Sequence, residues 1–348
     1  MENKDLNLKM MCKILYSRMG YSAHTEIRLR NKSYITSYKT HDVSDIDVFG
    51  YNFNADLSLF TIGAECKSGD TNAIDEFYKF LGISRYYGLN KAYLIKSRIH
   101  QNARQIALDH NFICLTEVEL RKMLLGFEID VDKAVKVEVA KYQKHYRYFE
   151  LYKKRNEKLS EYLTLDFWNK ENWRNVHNLI HIIKQSSQLE IFNEATLLDK
   201  YIMYYTCELF TLSILKTMSQ AIVLNYADFD SAFVNCLYGG AEALNEKRRI
   251  HDAVNIATQA NEGFDPEWQG DLTNICSRMS LATNAASKVP KLLQAIYENS
   301  FYNESVKIDP KVWKPYPDLT RKFAQDILHF VTKSCGLNPK TFEEFMMV

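Results

Sequence analysis

The chain has 348 residues, and 44 Lys and Arg against 43 Asp and Glu give it a formal net charge of +1. A hydrophobic content of 46% with 25% charged residues is typical of globular proteins and excludes an intrinsically disordered chain. Because the net charge is almost zero, any surface that binds a polyanion has to be local.

The cysteines and the apolar segments favour a cytoplasmic protein. Seven widely spaced cysteines without a CxxC pair are unlike a disulfide framework or a zinc knuckle, and favour reduced thiols. The N-terminal residues are polar, so we expect no signal peptide. The most apolar long window, residues 201–224, contains Glu208 and Lys216. A charge at the centre of a bilayer costs about 2.5–3.5 kcal/mol, so we expect a buried core helix here and no membrane span.

Glycine and proline divide the chain into two unlike parts. Seven of the twelve glycines lie within the first 126 residues, whereas all six prolines lie at or beyond Pro266. The long stretch between these regions is poor in turn-forming residues, which favours long helices. We therefore predict an α/β domain at residues 1–128 and an all-α domain at residues 129–348.

The periodicity of apolar residues predicts the elements of both domains. In the first domain it predicts the order αβββαβαβα, which is that of a mixed sheet covered by helices. The segment NFNAD has the composition of a hairpin turn between the second and third strands. The predicted strands are 21–29, with a candidate edge hairpin at 33–38, then 46–51, 57–66, 92–95 and 112–115. The predicted helices are 6–19, 71–88, 100–110, 117–125, 131–159, 167–183, 189–224, 229–261, 271–300 and 319–334.

The residues best suited to chemistry lie on the second and third strands. Asp47 lies on the second strand, and Glu65, Cys66 and Lys67 end the third. Because side chains alternate across a strand, Glu65 and Lys67 share one face and Cys66 points to the other. Antiparallel pairing about the turn brings Asp47 opposite residues 63–65. Two carboxylates and a lysine should therefore converge at one end of the hairpin.

This combination suits the hydrolysis of a phosphodiester. Carboxylate oxygens hold Mg²⁺, which polarises the phosphate and activates a water molecule. The lysine can orient or deprotonate that water and offset the charge that develops on the phosphate. Asp45 shares the face of Asp47 and is a candidate additional ligand. The face would then hold three carboxylates with little compensating positive charge, which is costly unless a cation is bound. The alternative is an ordinary exposed strand face with surface ion pairs.

These segments resemble the PD-(D/E)XK nuclease superfamily, and in particular its Mrr-like restriction endonucleases. The matching motifs are SDIDV at 44–48, where Ile46 stands in place of the proline of the motif, and GAECKSG at 63–69. The downstream segments AIDEFYKFLGISRYYG, KAYLIKS and QNARQIALDHNFICLTEVELRKML continue the resemblance in helix, strand and helix–strand–helix order. The resemblance covers about residues 5–126.

The resemblance implies a restriction-endonuclease-like fold and a specific set of site residues. Asp47, Glu65 and the backbone carbonyl of Cys66 would bind Mg²⁺, with Mn²⁺ as a possible substitute, and Lys67 would be catalytic. The implied activity is endonucleolytic cleavage of DNA in restriction or antiphage defence. The helical domain would serve for target recognition, sensing, or assembly with a second copy or another protein.

Two alternatives to this activity remain open at this stage. The first is a nuclease that cleaves RNA, or a collateral nuclease gated by an activator. The second is a nuclease-fold scaffold that binds nucleic acid or a partner protein without cutting. The presence of Asp47, Glu65 and Lys67 together argues against the scaffold.

A basic and aromatic segment, residues 141–158, is a second candidate for contact with nucleic acid. Its aromatic residues Tyr142, Tyr146 and Phe149 repeat at helical spacing. We favour a buried aromatic stripe beside a solvated basic face for this segment.

Overall fold

The chain forms two compact units, which are described separately. The computed structural model describes residues 4–30, 42–69, 72–188, 192, 196–260, 263–299 and 308–342. The hairpin expected at residues 33–38 lies outside these residues. The first unit comprises Met1–Asn52, Leu59–Lys154 and Ser160–Asn169, and the second comprises Phe53–Ser58, Arg155–Leu159 and Lys170–Val348.

A five-stranded mixed sheet forms the centre of the first unit. Its strands are β1 (Ser22–Arg30), β2 (Asp42–Phe53), β3 (Leu59–Lys67), β4 (Lys91–Lys96) and β5 (Phe112–Thr116), and they lie side by side in chain order. β1 and β2 are antiparallel, whereas β4 is parallel to both of its neighbours. The connection between β2 and β3 is too short for a parallel crossover, so these neighbours form an antiparallel hairpin.

Helices alternate with the strands in the order that the sequence predicts. They are α1 (Lys4–Arg18), α2 (Ala73–Tyr87), α3 (Gln101–Leu108), α4 (Glu117–Leu125) and α5 (Val131–Arg155). Local capping explains where they begin and end. The Asn72 side chain accepts a hydrogen bond from the N–H of Ile74 at the start of α2, and Gly88 ends that helix with φ of 73°. Thr116 and Glu119 form a capping box at the start of α4.

The first unit extends beyond residue 128, which the sequence predicts as its end. α5 contributes Val131 and Val135 to the core that α1 and α4 form against the sheet. Glu138 of α5 also pairs with Lys13 of α1, with 3.2 Å between Oε2 and Nζ. A π-helical turn (Tyr162–Asp166) and the short helix α7 (Phe167–Asn169) belong to this unit as well, after the short helix α6 (Glu157–Glu161).

The second unit is built from helices around one buried helix. Its helices are α8 (Asn172–Gln188), α9 (Leu197–Asn225), α10 (Phe229–Leu237), α11 (Ala241–Thr258), α12 (Gln269–Ser280), α13 (Thr283–Ala286), α14 (Val289–Asn299), α15 (Pro310–Trp313) and α16 (Asp318–Ser334), with a 3₁₀ turn at Pro339–Thr341. α9 packs against α8, α10, α14 and α16. It is long and apolar enough to cross a bilayer, but 67% of its most apolar window is buried in the fold, as in a core helix.

Four of the predicted helices, 131–159, 167–183, 229–261 and 271–300, are each divided, and local chemistry explains two of these breaks. Residues 131–159 break at Asn156, whose side chain accepts a hydrogen bond from the N–H of Leu159 and so starts a new helix. Residues 229–261 break at Gly239 and Gly240, which have φ of 93° and 115°. Positive φ is incompatible with a continuing α-helix and is accessible to glycine at low cost.

Truncation of Leu120 should destabilise the first unit. Leu120 of α4 is fully buried in the core, so Leu120→Ala removes apolar contacts and leaves a cavity. We expect the free energy of unfolding to fall by about 2–5 kcal/mol, measured by urea denaturation. Leu125→Ala on the same helix is the matched control, because Leu125 is 61% exposed and should cost no more than about 0.5 kcal/mol. Equal losses in both variants would contradict the described packing of α4.

Candidate functional site

The structure brings together the three side chains that the sequence singles out. Lys67 Nζ lies 2.9 Å from Glu65 Oε1 and 3.9 Å from Asp47 Oδ2. The amide N–H of Cys66 donates to Asp47 Oδ2 at 2.8 Å. This hydrogen bond ties β2 to the end of β3 and holds the Asp47 carboxylate beside Glu65 and Lys67.

Burial separates this cluster from an ordinary surface ion pair. Asp47 is 1% exposed and Glu65 is 9% exposed, whereas Lys67 is only half-buried. Cys66 is fully buried and faces the core, as predicted. Asp45, the candidate additional ligand, is exposed at the border of the cluster.

The buried carboxylates raise the proton affinity of their neighbours. Burial, followed by the Asp47 charge, raises the pKa of Glu65 to about 7, although Lys67 acts in the opposite direction. Burial disfavours the charged form of Lys67, but the Asp47 and Glu65 carboxylates outweigh it and raise the pKa of Lys67 above its ordinary value. At neutral pH Lys67 is therefore an ammonium, and Glu65 is poised between its two protonation states.

α1 supplies a second cation that the sequence analysis missed. Lys9 Nζ lies 2.7 Å from Asp47 Oδ1 and 3.1 Å from Glu26 Oε1. Burial disfavours the charge on Lys9, but Asp47 and Glu26 outweigh it and raise the pKa of Lys9. The expectation of little compensating positive charge is therefore wrong, because α1 packs over this end of the sheet.

Glu26 joins the cluster from β1. Thr25 pairs with Val48 and Ile27 with Ile46, so Glu26 lies opposite Asp47 between these pairs. Its Oε2 accepts a hydrogen bond of 2.8 Å from the Tyr142 hydroxyl on α5. Burial disfavours the charge on Glu26, but the hydrogen bond from Tyr142 and the charge of Lys9 outweigh it and lower its pKa.

Two further residues surround the end of β3. Lys96 pairs with Lys67 in the parallel register, is 1% exposed, and donates from Nζ to the carbonyl of Gly69 at 3.2 Å. Asp5 of α1 accepts a hydrogen bond of 2.6 Å from the N–H of Ser68, and its pKa is lowered by hydrogen bonds from Ser68. The sequence offers a signal for Lys96, since carboxyl ends of neighbouring parallel strands meet at one sheet edge.

The chemistry of Asp47 and Glu65 fits a divalent cation. Carboxylate oxygens are the ligands that Mg²⁺ prefers, and the charge repulsion that contributes to the raised pKa of Glu65 is what a cation would relieve. Within the described part of the chain, no three His, Cys, Asp or Glu side chains are grouped to hold a metal ion. A cation here would therefore need backbone or water oxygens in addition to the two carboxylates.

No protein-family model matches this sequence, and searches of curated proteins and of solved structures found no match. The functional assignment therefore depends on the residues described above and on their geometry. These residues place two buried carboxylates and three lysine ammonium groups at one end of a mixed sheet.

The raised pKa of Glu65 predicts a pH-dependent stability in the absence of metal. A carboxyl that holds its proton more tightly in the folded chain stabilises the fold at low pH, and this contribution is lost as the pH rises from 4.5 to about 7. At roughly 1.4 kcal/mol per pKa unit, the loss is at most about 3.5 kcal/mol. Because Glu65→Gln cannot titrate, we expect it to gain stability relative to wild type between pH 5 and pH 8.

Urea denaturation in EDTA at both pH values measures this difference. Asp75→Asn is the control, because Asp75 is an exposed carboxyl at the start of α2. It should shift stability equally at pH 5 and pH 8. Parallel pH profiles for Glu65→Gln and wild type would contradict the described environment of Glu65.

Proposed function

We propose that the protein is a Mg²⁺-dependent nuclease that cleaves phosphodiester bonds in DNA. The observation that carries the proposal is the convergence of Asp47, Glu65 and Lys67, with 2.9 Å and 3.9 Å from the lysine to the two carboxylates. The assignment to a restriction-endonuclease-like fold is part of the same proposal. It is supported by the five-stranded mixed sheet with flanking helices and by the hairpin that carries these residues.

Asp47, Glu65 and the carbonyl oxygen of Cys66 would hold Mg²⁺ in this proposal, with Mn²⁺ as a substitute. Asp45 is a candidate additional ligand. When bound, the ion would polarise the scissile phosphate and lower the pKa of a water molecule. The burial of Asp47 and Glu65 supports this assignment, because electrostatic interactions are strengthened where bulk water is excluded.

Lys67 would act through its positive charge. The neighbouring carboxylates raise its pKa, so it carries a proton at neutral pH and is a hydrogen-bond donor. An ammonium at this place can orient the attacking water and offset the charge that develops on the phosphate. Of the two roles considered for this lysine, orientation with charge compensation is favoured over deprotonation of the water.

The exposed side of α5 supports nucleic acid as the substrate. Tyr142 contacts Glu26, and one turn later Tyr146 is 58% exposed beside the exposed Arg147. The aromatic stripe predicted for this helix is therefore only partly correct, since Phe149 is buried but Tyr146 is not. An exposed ring can stack on a base and a neighbouring cation can contact phosphate, which suits a strand that enters the site along α5.

We place this activity in cytoplasmic restriction or antiphage defence. The second unit would recognise a target, sense a signal, or bind a second copy or a partner protein. Cleavage of RNA, activator-gated cleavage and binding without cleavage are the alternatives. Assays of cleavage and binding with DNA and RNA substrates distinguish these alternatives.

Cleavage by the purified chain tests the proposal. Supercoiled plasmid, linear DNA and single-stranded RNA are incubated with Mg²⁺, with Mn²⁺ or with EDTA. We expect metal-dependent cleavage of DNA, and Asp47→Asn and Lys67→Met should each reduce the rate by at least about 10²-fold because they remove a ligand or a charge at the phosphate.

Lys122→Met is the matched control, since Lys122 is an exposed lysine on α4 and should retain the wild-type rate. Cleavage in EDTA, or full activity of both site variants, would overturn the assignment. Cleavage restricted to RNA would move the substrate from DNA to RNA. Binding of DNA without cleavage would favour the scaffold.

A further inference from the structure

The ammonium of Lys9 bridges two carboxylates, one buried and one half-buried. It lies on the side of Asp47 that faces away from Lys67. We propose that Lys9 occupies the position of a second cation between Asp47 and Glu26, so that no divalent ion binds between these two carboxylates. This inference deepens the proposed function, in which Asp47 and Glu65 hold the divalent ion. It defines a site with one exchangeable ion and one cation built into the chain.

The two oxygens of Asp47 serve different partners. Oδ1 lies 2.7 Å from Lys9 Nζ, whereas Oδ2 accepts the N–H of Cys66 at 2.8 Å and lies 3.9 Å from Lys67 Nζ. In two-metal hydrolases a pair of ions lies about 3.5–4 Å apart and clamps the attacking and leaving oxygens. Here the second cation position beside Asp47 is filled by the ammonium of Lys9, which is covalently part of the chain.

Glu26 is held in place as the other carboxylate at this position. Its φ of 57° is a conformation that residues other than glycine seldom adopt, and one that persists only where the surrounding structure fixes it. The Tyr142 hydroxyl holds Oε2 at 2.8 Å, which leaves Oε1 for Lys9 at 3.1 Å. Elements from three parts of the chain, α1, β1 and α5, therefore converge on one cation position.

The charge balance explains why a lysine can substitute for an ion here. The Lys9 side chain is 14% exposed, so its charge is little screened and compensates both carboxylates at close range. A tethered ammonium is present at any metal concentration, whereas Mg²⁺ must be partly dehydrated and captured from solution. Without the ammonium, Asp47 Oδ1 and Glu26 Oε1 would lose the cation that lies between them, and a divalent cation could then occupy that position.

The number of bound Mn²⁺ ions tests this inference. Mn²⁺ is titrated into the full-length chain without nucleic acid, and the free ion is measured by electron paramagnetic resonance. We expect Lys9→Met, which keeps the apolar stem but removes the charge, to bind one Mn²⁺ more per chain than wild type. Lys9→Gln should do the same, and it keeps a hydrogen-bond donor at this position, so it serves as the second variant if Lys9→Met fails to fold.

Lys13→Met is the matched control on the same helix. Lys13 is 12% exposed and lies 3.2 Å from Glu138, which also contacts Lys141 at 2.9 Å. Because Glu138 keeps the charge of Lys141, this variant should bind the wild-type number of ions. The double variant Lys9→Met/Glu26→Gln should also return to the wild-type number, since it removes one of the two carboxylates of the new position.

The result is independent of cleavage, because it is a difference in ion number between chains. An equal number in wild type, Lys9→Met and Lys9→Gln overturns the inference. An extra ion that persists in Lys9→Met/Glu26→Gln also overturns it, because that ion is not held by Glu26. If wild type binds no Mn²⁺ and Lys9→Met binds one, the inference on Lys9 holds and the proposed nuclease site fails. If wild type cleaves DNA but the Lys9 variants gain no ion, the proposed nuclease site holds and the inference on Lys9 fails.

Discussion

The buried carboxylate of Asp47 is the constraint on which the organisation of the first unit depends. A carboxylate that is 1% exposed is costly unless hydrogen bonds and opposite charges replace its water. The partners of Asp47 come from two separate elements, Lys9 of α1 on Oδ1 and the Cys66 amide of β3 on Oδ2. One charge therefore connects the first helix to the central hairpin and determines where both meet.

The two carboxylates of the site differ in how fully they are compensated. Asp47 has an ammonium on one oxygen and an amide N–H on the other, whereas Glu65 lies 2.9 Å from Lys67 and is buried beside a like charge. Burial and the neighbouring Asp47 charge therefore raise the pKa of Glu65 to about 7. A carboxyl whose pKa is strongly raised by burial and by a specific charged neighbour is typical of functional sites.

The role of α5 changes how the chain is divided. Val131 and Val135 complete the core of the first unit, and Tyr142 reaches Glu26 at the site. Composition places the boundary at the last glycine of the α/β region, since turn-forming residues become rare there. Packing extends the unit by one helix, because the apolar face of α5 is buried against α1 and the sheet instead of a helical neighbour. The second unit has its own core around α9.

The sequence by itself determined the order of the elements and the convergence of Asp47, Glu65 and Lys67. Both follow from local rules, since periodicity defines each element and a tight hairpin brings together residues about 20 positions apart. Only the tertiary structure decided that Lys9, Glu26 and Tyr142 belong to the same cluster. Glu26 is 17 residues from Lys9 and 116 from Tyr142, and no local pattern encodes contacts between a helix, an edge strand and a later helix. Such contacts depend on how apolar faces pack, which also decides whether a strand face is exposed or buried.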